Sequence, residues 1–134
     1  MPEKRTLKRA RKAKREGKSA GTQAGEFIRE EIHHIREGRH GARSTEQAIA
    51  IGLSKARRAG VKLRAPRSGS VSEETRKQIR SDERVAREGA AHHVSAARSR
   101  GARRKLEREG HAAASHAALS KHARKAARTR ARAH

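Results

Sequence analysis

Apolar residues recur at helical spacing between positions 22 and 37 of the chain. Successive members of the series are three, one, four and three positions apart, which places them along one face of an α-helix: Ala24, Phe27, Ile28, Ile32 and Ile35. Thr22 is suited to cap the first turn, and Gly38 is suited to end the last one. The pattern therefore predicts an amphipathic helix over residues 22–37.

A second helix is predicted from residue 44 to about residue 59. The run Ser44-Thr45-Glu46-Gln47 fits a capping box, in which Ser44 caps the helix and Gln47 reaches back toward the cap. The apolar face of this helix is broad and made mostly of small residues, so that another helix could approach closely: Ala48, Ile49, Ile51, Gly52, Leu53, Ala56 and Ala59. Residues 21–63 are therefore predicted to form a helical hairpin, whose apolar face could also support a homodimer.

Two charged residues interrupt the apolar faces of this predicted hairpin. Glu31 falls within the apolar arc of the first helix, and Lys55 falls within that of the second. Either each side chain lies at the rim of its face, or the two pair across the hairpin and set its register. The sequence leaves both interpretations open.

The segments on either side of the hairpin carry few large apolar residues. A polar third helix is predicted over residues 73–88, with Ser70 or Ser72 as its cap. Residues 1–20 and 90–134 are rich in Ala, Lys and Arg, so we expect basic arms that are partly disordered when free and helical on a polyanion. The predicted fold is all-α, organised as 1–20, 21–63, 64–89 and 90–134.

Composition restricts the possible function classes. The chain of 134 residues contains 36 Lys and Arg against 14 Asp and Glu, a formal net charge of +22. A compact monomer with this charge repels itself unless a polyanion neutralises it. The chain has one Phe and no Tyr, Trp or Cys. We therefore expect neither a base-stacking surface nor a thiolate zinc site.

The charge is concentrated at the two ends of the chain. Residues 1–20 have a net charge of +7 and residues 90–134 a net charge of +10, whereas residues 21–60 have only +2. Basic side chains at this density suit the phosphates of nucleic acid. The candidate phosphate-binding residues are Lys4, Arg5, Lys8, Arg9, Arg11, Lys12, Lys14 and Arg15 in the first arm, and Arg103, Arg104, Lys105, Arg124, Lys125, Arg128, Arg130 and Arg132 in the second.

The connector between the two hairpin helices is a further candidate for phosphate binding. Arg39, Arg43 and Ser44 cluster at a capped helix N-terminus, where backbone amides and the helix dipole favour an anion. Arg57 and Arg58 could extend the same surface. The alternative is an ordinary capped turn with surface arginines. A helix-turn-helix is less favoured, because its turn has about three to four residues and this connector has about six.

Other function classes have little support in the sequence. The nine His residues lack the i, i+4 spacing of paired ligands and have no clear carboxylate partner, so no metal is expected. No Walker loop, nucleophile elbow or HExxH motif is present, so we expect neither an enzyme nor a cofactor. No secretory signal and no apolar run of roughly 20 residues is evident, so we expect a cytoplasmic protein without a membrane partner.

The segment from residue 16 to residue 63 contains a distinctive run, GARSTEQAIAIGLSKARRAG, at residues 41–60. This segment resembles a family of short, basic bacterial proteins that is catalogued as a domain of unknown function. Members of that family are sometimes labelled DNA-binding or plasmid-stabilisation proteins. The resemblance covers about a third of the chain and implies a bacterial source, but it supplies no site.

Charge and pattern together favour non-specific or weakly specific binding of duplex DNA through its phosphate backbone, in the nucleoid. One alternative is an RNA- or ribosome-associated basic protein, since electrostatics do not separate the two polymers. Another is a protein-interaction module in which the basic arms are incidental.

Overall fold

The structure is a computed structural model that describes residues 2–67, 69–88 and 96–132. These residues contain six α-helices and one short 3₁₀ turn, Ala112–Ala114, and no β-strand. The prediction of an all-α fold is therefore confirmed. The expected boundary between residues 89 and 90 lies outside the described residues. The helices are α1 (Lys4–Arg15), α2 (Ala20–Arg36), α3 (Thr45–Arg58), α4 (Glu73–Glu88), α5 (Ala96–Arg108) and α6 (His116–Arg132).

Helices α2 and α3 end at glycines in the left-handed region. Gly38 has φ 79° and Gly60 has φ 99°. After α2, the amide of Arg39 donates to the carbonyl of His34 at 3.0 Å, and the amide of Gly38 donates to Ile35 at 3.1 Å. This pair of bonds is a Schellman motif, which satisfies carbonyls that the end of a helix leaves unpaired. The predicted stop at Gly38 is therefore confirmed.

Serine side chains cap the starts of α2 and α3. The prediction that Thr22 caps α2 is wrong, because α2 begins at Ala20 and Ser19 Oγ accepts the amide of Thr22 at 3.2 Å. The cap predicted at Ser44 is confirmed, since its Oγ accepts the amide of Gln47 at 3.1 Å. The Gln47 side chain completes the motif by accepting the amide of Arg43 at 2.6 Å.

The described chain divides into two compact units. The first consists of Met1–Glu30 and Ile51–Val94, and the second consists of Glu31–Ala50 and Ser95–His134. Helices α2 and α3 contribute residues to both units.

Phe27 lies at the centre of the first unit and is 1% exposed. It packs with three buried alanines, one each from α1, α2 and α3, and this cluster is flanked by half-buried Leu and Val side chains. Burying a Phe in such a cluster stabilises a fold by about 3–5 kcal/mol relative to Ala. The cluster is Phe27, Ala10, Ala24 and Ala56, with Leu7, Leu53, Val61 and Leu63 against it.

Helices α2 and α3 approach closely at Gly52 in this unit. A Cβ atom added at Gly52 would lie 2.7 Å from Ile28 Cα and 3.0 Å from Ile28 N, so only a glycine fits against that backbone. The expectation that small residues on α3 admit another helix is met at this point of contact.

Helix α1 has more tertiary support than the sequence analysis expected of a basic arm. Ala10 and Thr6 are buried. Glu30 accepts the amide of Glu3 at 2.6 Å and the Thr6 hydroxyl at 3.1 Å, so a buried carboxylate holds the start of α1. The sequence pattern missed this contact because Leu7 is the only large apolar residue of the helix, and a threonine hydroxyl is invisible to hydropathy.

In the second unit, the segment after α2 is fixed by backbone hydrogen bonds to the segment around α5. The amide of Gly41 donates to Leu106 at 2.8 Å, and the amide of Ala42 donates to Gly110 at 2.9 Å. The carbonyls of Glu109 and Gly110 occupy the space where a Cβ of Gly41 would lie. The Thr45 hydroxyl also donates to the carbonyl of Ala113 at 2.6 Å, so residues that were expected to form a basic tail pack against the chain.

We expect Gly52→Ala to lower the free energy of unfolding by about 1–3 kcal/mol, because the added methyl group forces α2 and α3 apart. Gly25→Ala is the matched control, since Gly25 lies in α2 and its Cβ would enter open space. The control should raise stability by about 0.5–1 kcal/mol through helix propensity. Urea unfolding of the three proteins measures both changes, and equal changes would contradict the close contact.

Candidate nucleic-acid interface

Helix α1 carries eight basic residues within its 12-residue length, and all eight side chains are exposed. Thr6 and Ala10 face the interior, and most of the basic residues lie on the remaining arc of the helix at 3.6 residues per turn. The structure thus displays every basic residue that the sequence analysis proposed on this segment: Lys4, Arg5, Lys8, Arg9, Arg11, Lys12, Lys14 and Arg15.

Acidic side chains neutralise little of this surface. Arg5 lies 3.9 Å from Glu3, and Lys12 lies 3.9 Å from Glu16. Both contacts are long and solvent-exposed, so each is worth at most about 1 kcal/mol. The other six basic residues of α1 have no carboxylate within ion-pair distance among the described residues. Helix α1 therefore presents a nearly uncompensated positive surface.

Residues of α1 and α3 line one groove of about 430 Å³ in the first unit. Arg11 from α1 and Arg58 from α3 line it, beside Lys55. Arg58 is oriented by Asp82, whose Oδ1 lies 3.6 Å from its Nε. Apolar residues form the rest of the wall: Pro2, Leu7, Ala59 and Val85. A polyanion that lies along α1 would therefore also meet Arg58.

Asp82 is itself 2% exposed and is held by neighbouring polar groups. The hydroxyl of Ser54 donates to its Oδ2 at 2.6 Å, and the Gln78 amide donates to its Oδ1 at 3.1 Å. Helix α4 was predicted to be polar, and its two buried residues are Ile79 and Asp82. A single acid on α4 thereby ties α3 to α4 and positions Arg58.

Arg57 differs from the expectation that it shares an exposed surface with Arg58. It is only 9% exposed, and its Nε has no hydrogen-bond partner among the described residues. Its side chain lines a recess of about 440 Å³ in the first unit, together with Lys62 and Arg87. A buried N–H donor without a partner is unfavourable, and an anion in the recess could supply one.

The lining of this recess suits a phosphate. Three basic groups face it against one acid, Glu83, and the remaining lining residues are Gly60, Val61, Leu63 and Ala86. Arginine can bind a phosphate through two parallel N–H donors, which a lysine cannot do. Lys62 and Arg87 could not be assigned to this recess from the sequence, because Lys62 lies beyond the end of α3 and Arg87 lies on α4.

Most polar side chains of the connector before α3 form hydrogen bonds or ion pairs with other groups of the chain. Arg39 Nε lies 3.1 Å from Glu37 Oε2, and its NH1 lies 3.2 Å from His34 Nε2. Ser44 is occupied by the amide of Gln47. Arg43 is exposed. The geometry favours the capped-turn interpretation of this connector over a phosphate site at the start of α3.

In the second unit, α6 carries a stripe of exposed basic residues. Their spacing of i, i+3, i+4, i+7 and i+11 places them on one face, opposite the half-buried Leu119 and Ala126. Lys121 belongs to this stripe although the sequence analysis omitted it, and Arg130 lies off it. The spacing itself would have identified Lys121. The stripe is Lys121, Arg124, Lys125, Arg128 and Arg132.

Two other contacts in this unit affect the tail residues. On α5, Arg103, Arg104 and Lys105 are exposed, and Arg103 pairs with Glu107 at 3.0 Å. Glu46 contacts His122 of α6. A hydrogen bond from the Glu46 backbone amide lowers the pKa of the Glu46 carboxyl group, and a hydrogen bond with the His122 side chain lowers that pKa further. The ionised Glu46 offsets part of the positive charge at the first turns of α6, so the last turns are the most available to an anion.

No protein-family model matches the chain, and comparisons with curated proteins and with solved structures found no significant match. Over the described ranges, none of the helices combines the length and the apolar character needed to cross a membrane.

We expect Arg57→Met to leave the free energy of unfolding unchanged or higher in phosphate-free buffer, because it removes a buried, unpaired charge and keeps an apolar stem. Inorganic phosphate should raise the Tm of the native chain more than that of Arg57→Met. Arg84→Met is the control, since it removes the same charge from an exposed position of α4. Equal phosphate-induced shifts in all three proteins would show that the recess takes no anion.

Proposed function

We propose that this protein binds nucleic acid through the phosphate backbone, without reading base sequence or with weak preference, and that its usual partner is duplex DNA of a bacterial nucleoid. The observation that carries the proposal is the surface of α1, where eight exposed basic residues face at most two weak acidic partners. The proposal assigns a binding role and no catalytic one.

The charge density of α1 matches that of its proposed partner. A helix rises 1.5 Å per residue, so 12 residues span about 18 Å and carry one basic group per roughly 2 Å. Duplex DNA carries one negative charge per about 1.7 Å of its axis. Such a helix could neutralise several successive phosphates and release the counterions condensed on them, which drives association.

Anchoring of α1 adds to this argument. Buried Ala10 and the hydrogen bonds to Glu30 hold the helix in place before a ligand arrives. A basic segment that is already ordered loses less conformational entropy on binding than a disordered arm does. We therefore propose that α1 is a preformed phosphate-binding element, and that the α6 stripe is a second one.

The predicted hairpin over residues 21–63 would then serve as a scaffold. Its apolar stripe is largely used within the chain, since Phe27, Ile32 and Ile35 are each at most 9% exposed. This leaves less of the face for the homodimer that the sequence suggested. The resemblance of residues 16–63 to a bacterial family does not distinguish DNA from RNA.

A salt titration of binding to random-sequence duplex DNA tests the proposal. The logarithm of affinity should fall linearly with the logarithm of salt concentration, with a slope of about −0.9 per phosphate neutralised. A flat response would overturn phosphate binding. Competition with structured RNA tests the choice of polymer, and tighter binding of RNA would assign the protein to the ribosome-associated alternative.

A pair of charge-matched variants tests the role of α1. Lys4, Lys8, Arg11 and Arg15 lie along one stripe of the helix. Replacing all four by Gln should make the salt slope shallower by up to about 3.6, which is four times the contribution of one phosphate. The control replaces four exposed basic residues elsewhere in the first unit, namely Arg64, Lys77, Arg80 and Arg84. Equal losses in both variants would show that net charge, and not α1, determines binding.

A further inference from the structure

Three metal-ligating side chains meet in the second unit, where the sequence analysis expected no metal. Glu31 and His34 lie one turn apart on α2, and His40 follows in the connector. One potential ligand atom from each residue lies within 4.8 Å of those of the other two. We propose that Glu31, His34 and His40 form a binding site for a divalent transition-metal ion of the zinc class.

The residue types favour such an ion. Two imidazoles and one carboxylate are a ligand set that zinc accepts, with three protein ligands and a fourth position open to water. The His40 Nε2 and Glu31 Oε2 atoms lie 3.1 Å apart. Two ligand atoms that each lie about 2.1 Å from one tetrahedral zinc ion are separated by about 3.4 Å, so a small adjustment admits the metal.

The surroundings of His40 orient its ring toward the site. Its Nδ1 lies 2.9 Å from the carbonyl of Gly41, which accepts a hydrogen bond from the Nδ1–H group. The Nε2 atom is thereby directed toward Glu31. A metal-bound histidine is commonly held in this way by a backbone carbonyl. Gly41 is itself fixed by the hydrogen bond that its amide donates to the carbonyl of Leu106, so the connector that carries His40 is held in place.

The hydrogen-bond contact of His34 is also compatible with a metal ligand. Arg39 NH1 lies 3.2 Å from His34 Nε2. A guanidinium can only donate, so this nitrogen is the acceptor in that contact, and the lone pair it uses is the one that a metal ion would take. Arg39 would have to move away from an incoming cation. Its side chain is 55% exposed and also contacts the exposed Glu37 at 3.1 Å, so rotation toward solvent keeps it near an acidic group.

The burial of the site distinguishes it from an ordinary surface histidine cluster. Glu31 is 1% exposed and His34 is 9% exposed. The interpretation that Glu31 lies at the rim of its helix is therefore wrong. A buried carboxylate beside two imidazoles offers negative charge in a low-dielectric setting, where its attraction for a cation is larger than in water.

The spacing signal for this site was present in the sequence. Glu31 and His34 form a Glu-x-x-His pair, which places a carboxylate and an imidazole on one helical face. The i, i+4 spacing of two histidines does not include this pair, so the sequence was not expected to hold a metal here. The third ligand could not be found from spacing, because only the Schellman turn at Gly38 returns the chain toward α2.

Zinc titration of the full-length, untagged chain by calorimetry tests the proposal. We expect one saturable Zn²⁺ site and a rise in Tm on adding zinc, because a ligand that binds only the folded chain stabilises it. Cobalt at the same site should show the visible absorption of a tetrahedral ion. His40→Gln should weaken zinc binding by at least about tenfold, since even loss of a supporting group costs that much.

His33→Gln is the matched control. His33 precedes His34 on α2, but its imidazole is exposed and pairs with Glu37 at 2.7 Å. This variant should keep the zinc affinity of the native chain. Circular dichroism of both variants checks that they fold, and Glu31→Gln provides a second ligand variant if His40→Gln unfolds. Absence of a saturable site, or equal weakening by His33→Gln and His40→Gln, would overturn the proposal. Neither result bears on DNA binding, which the salt titration tests separately.

Discussion

Close packing of small residues around Phe27 is the interaction on which the first unit depends. The chain has no other aromatic residue of the Phe, Tyr and Trp type, so its core cannot be filled with large side chains. Buried Ala10, Ala24 and Ala56 bring three helices against one ring, and Gly52 lets α3 touch the backbone of α2. Dispersion contacts at short distance replace the apolar area that the composition lacks. A consequence is that α1, which has little apolar surface, still has a defined place.

Buried carboxylates are the second feature that holds the helices of this highly basic chain in place. Glu30 holds the start of α1, Asp82 ties α3 to α4, and Glu31 contacts His40. Each is 6% exposed or less. None of these three acids forms an ion pair with a basic residue of α1 or α6 among the described residues. The exposed arcs of α1 and α6 therefore keep a strong positive potential, which attracts a polyanion and also opposes the compact state when none is bound.

The two proposals concern different parts of the chain and follow from the same balance of charge. Within the described residues, six of the eight basic residues on α1 have no acidic partner, and neither has Arg57 in its recess. The acidic and imidazole groups that could hold a cation lie inside the second unit. A bound zinc ion would join the end of α2 to the connector. It would thereby stabilise the second unit independently of any polyanion on the first.

The sequence by itself determined the local structure of this protein. Helical periodicity, the cap at Ser44 and the stops at Gly38 and Gly60 depend on neighbouring residues, so the all-α class and the bounds of α4 follow from the pattern. Exposure of the basic residues on α1 also followed, because charged side chains remain in water. Tertiary structure alone decided which polar groups became buried. Arg57 and Asp82 are ordinary polar positions on a helical wheel, and Glu31, within the apolar arc of α2, could equally have lain at its rim; all three are buried. Their surroundings depend on residues of other elements: Arg87 of α4 lines the recess of Arg57, His40 of the connector contacts Glu31, and Ser54 of α3 binds Asp82.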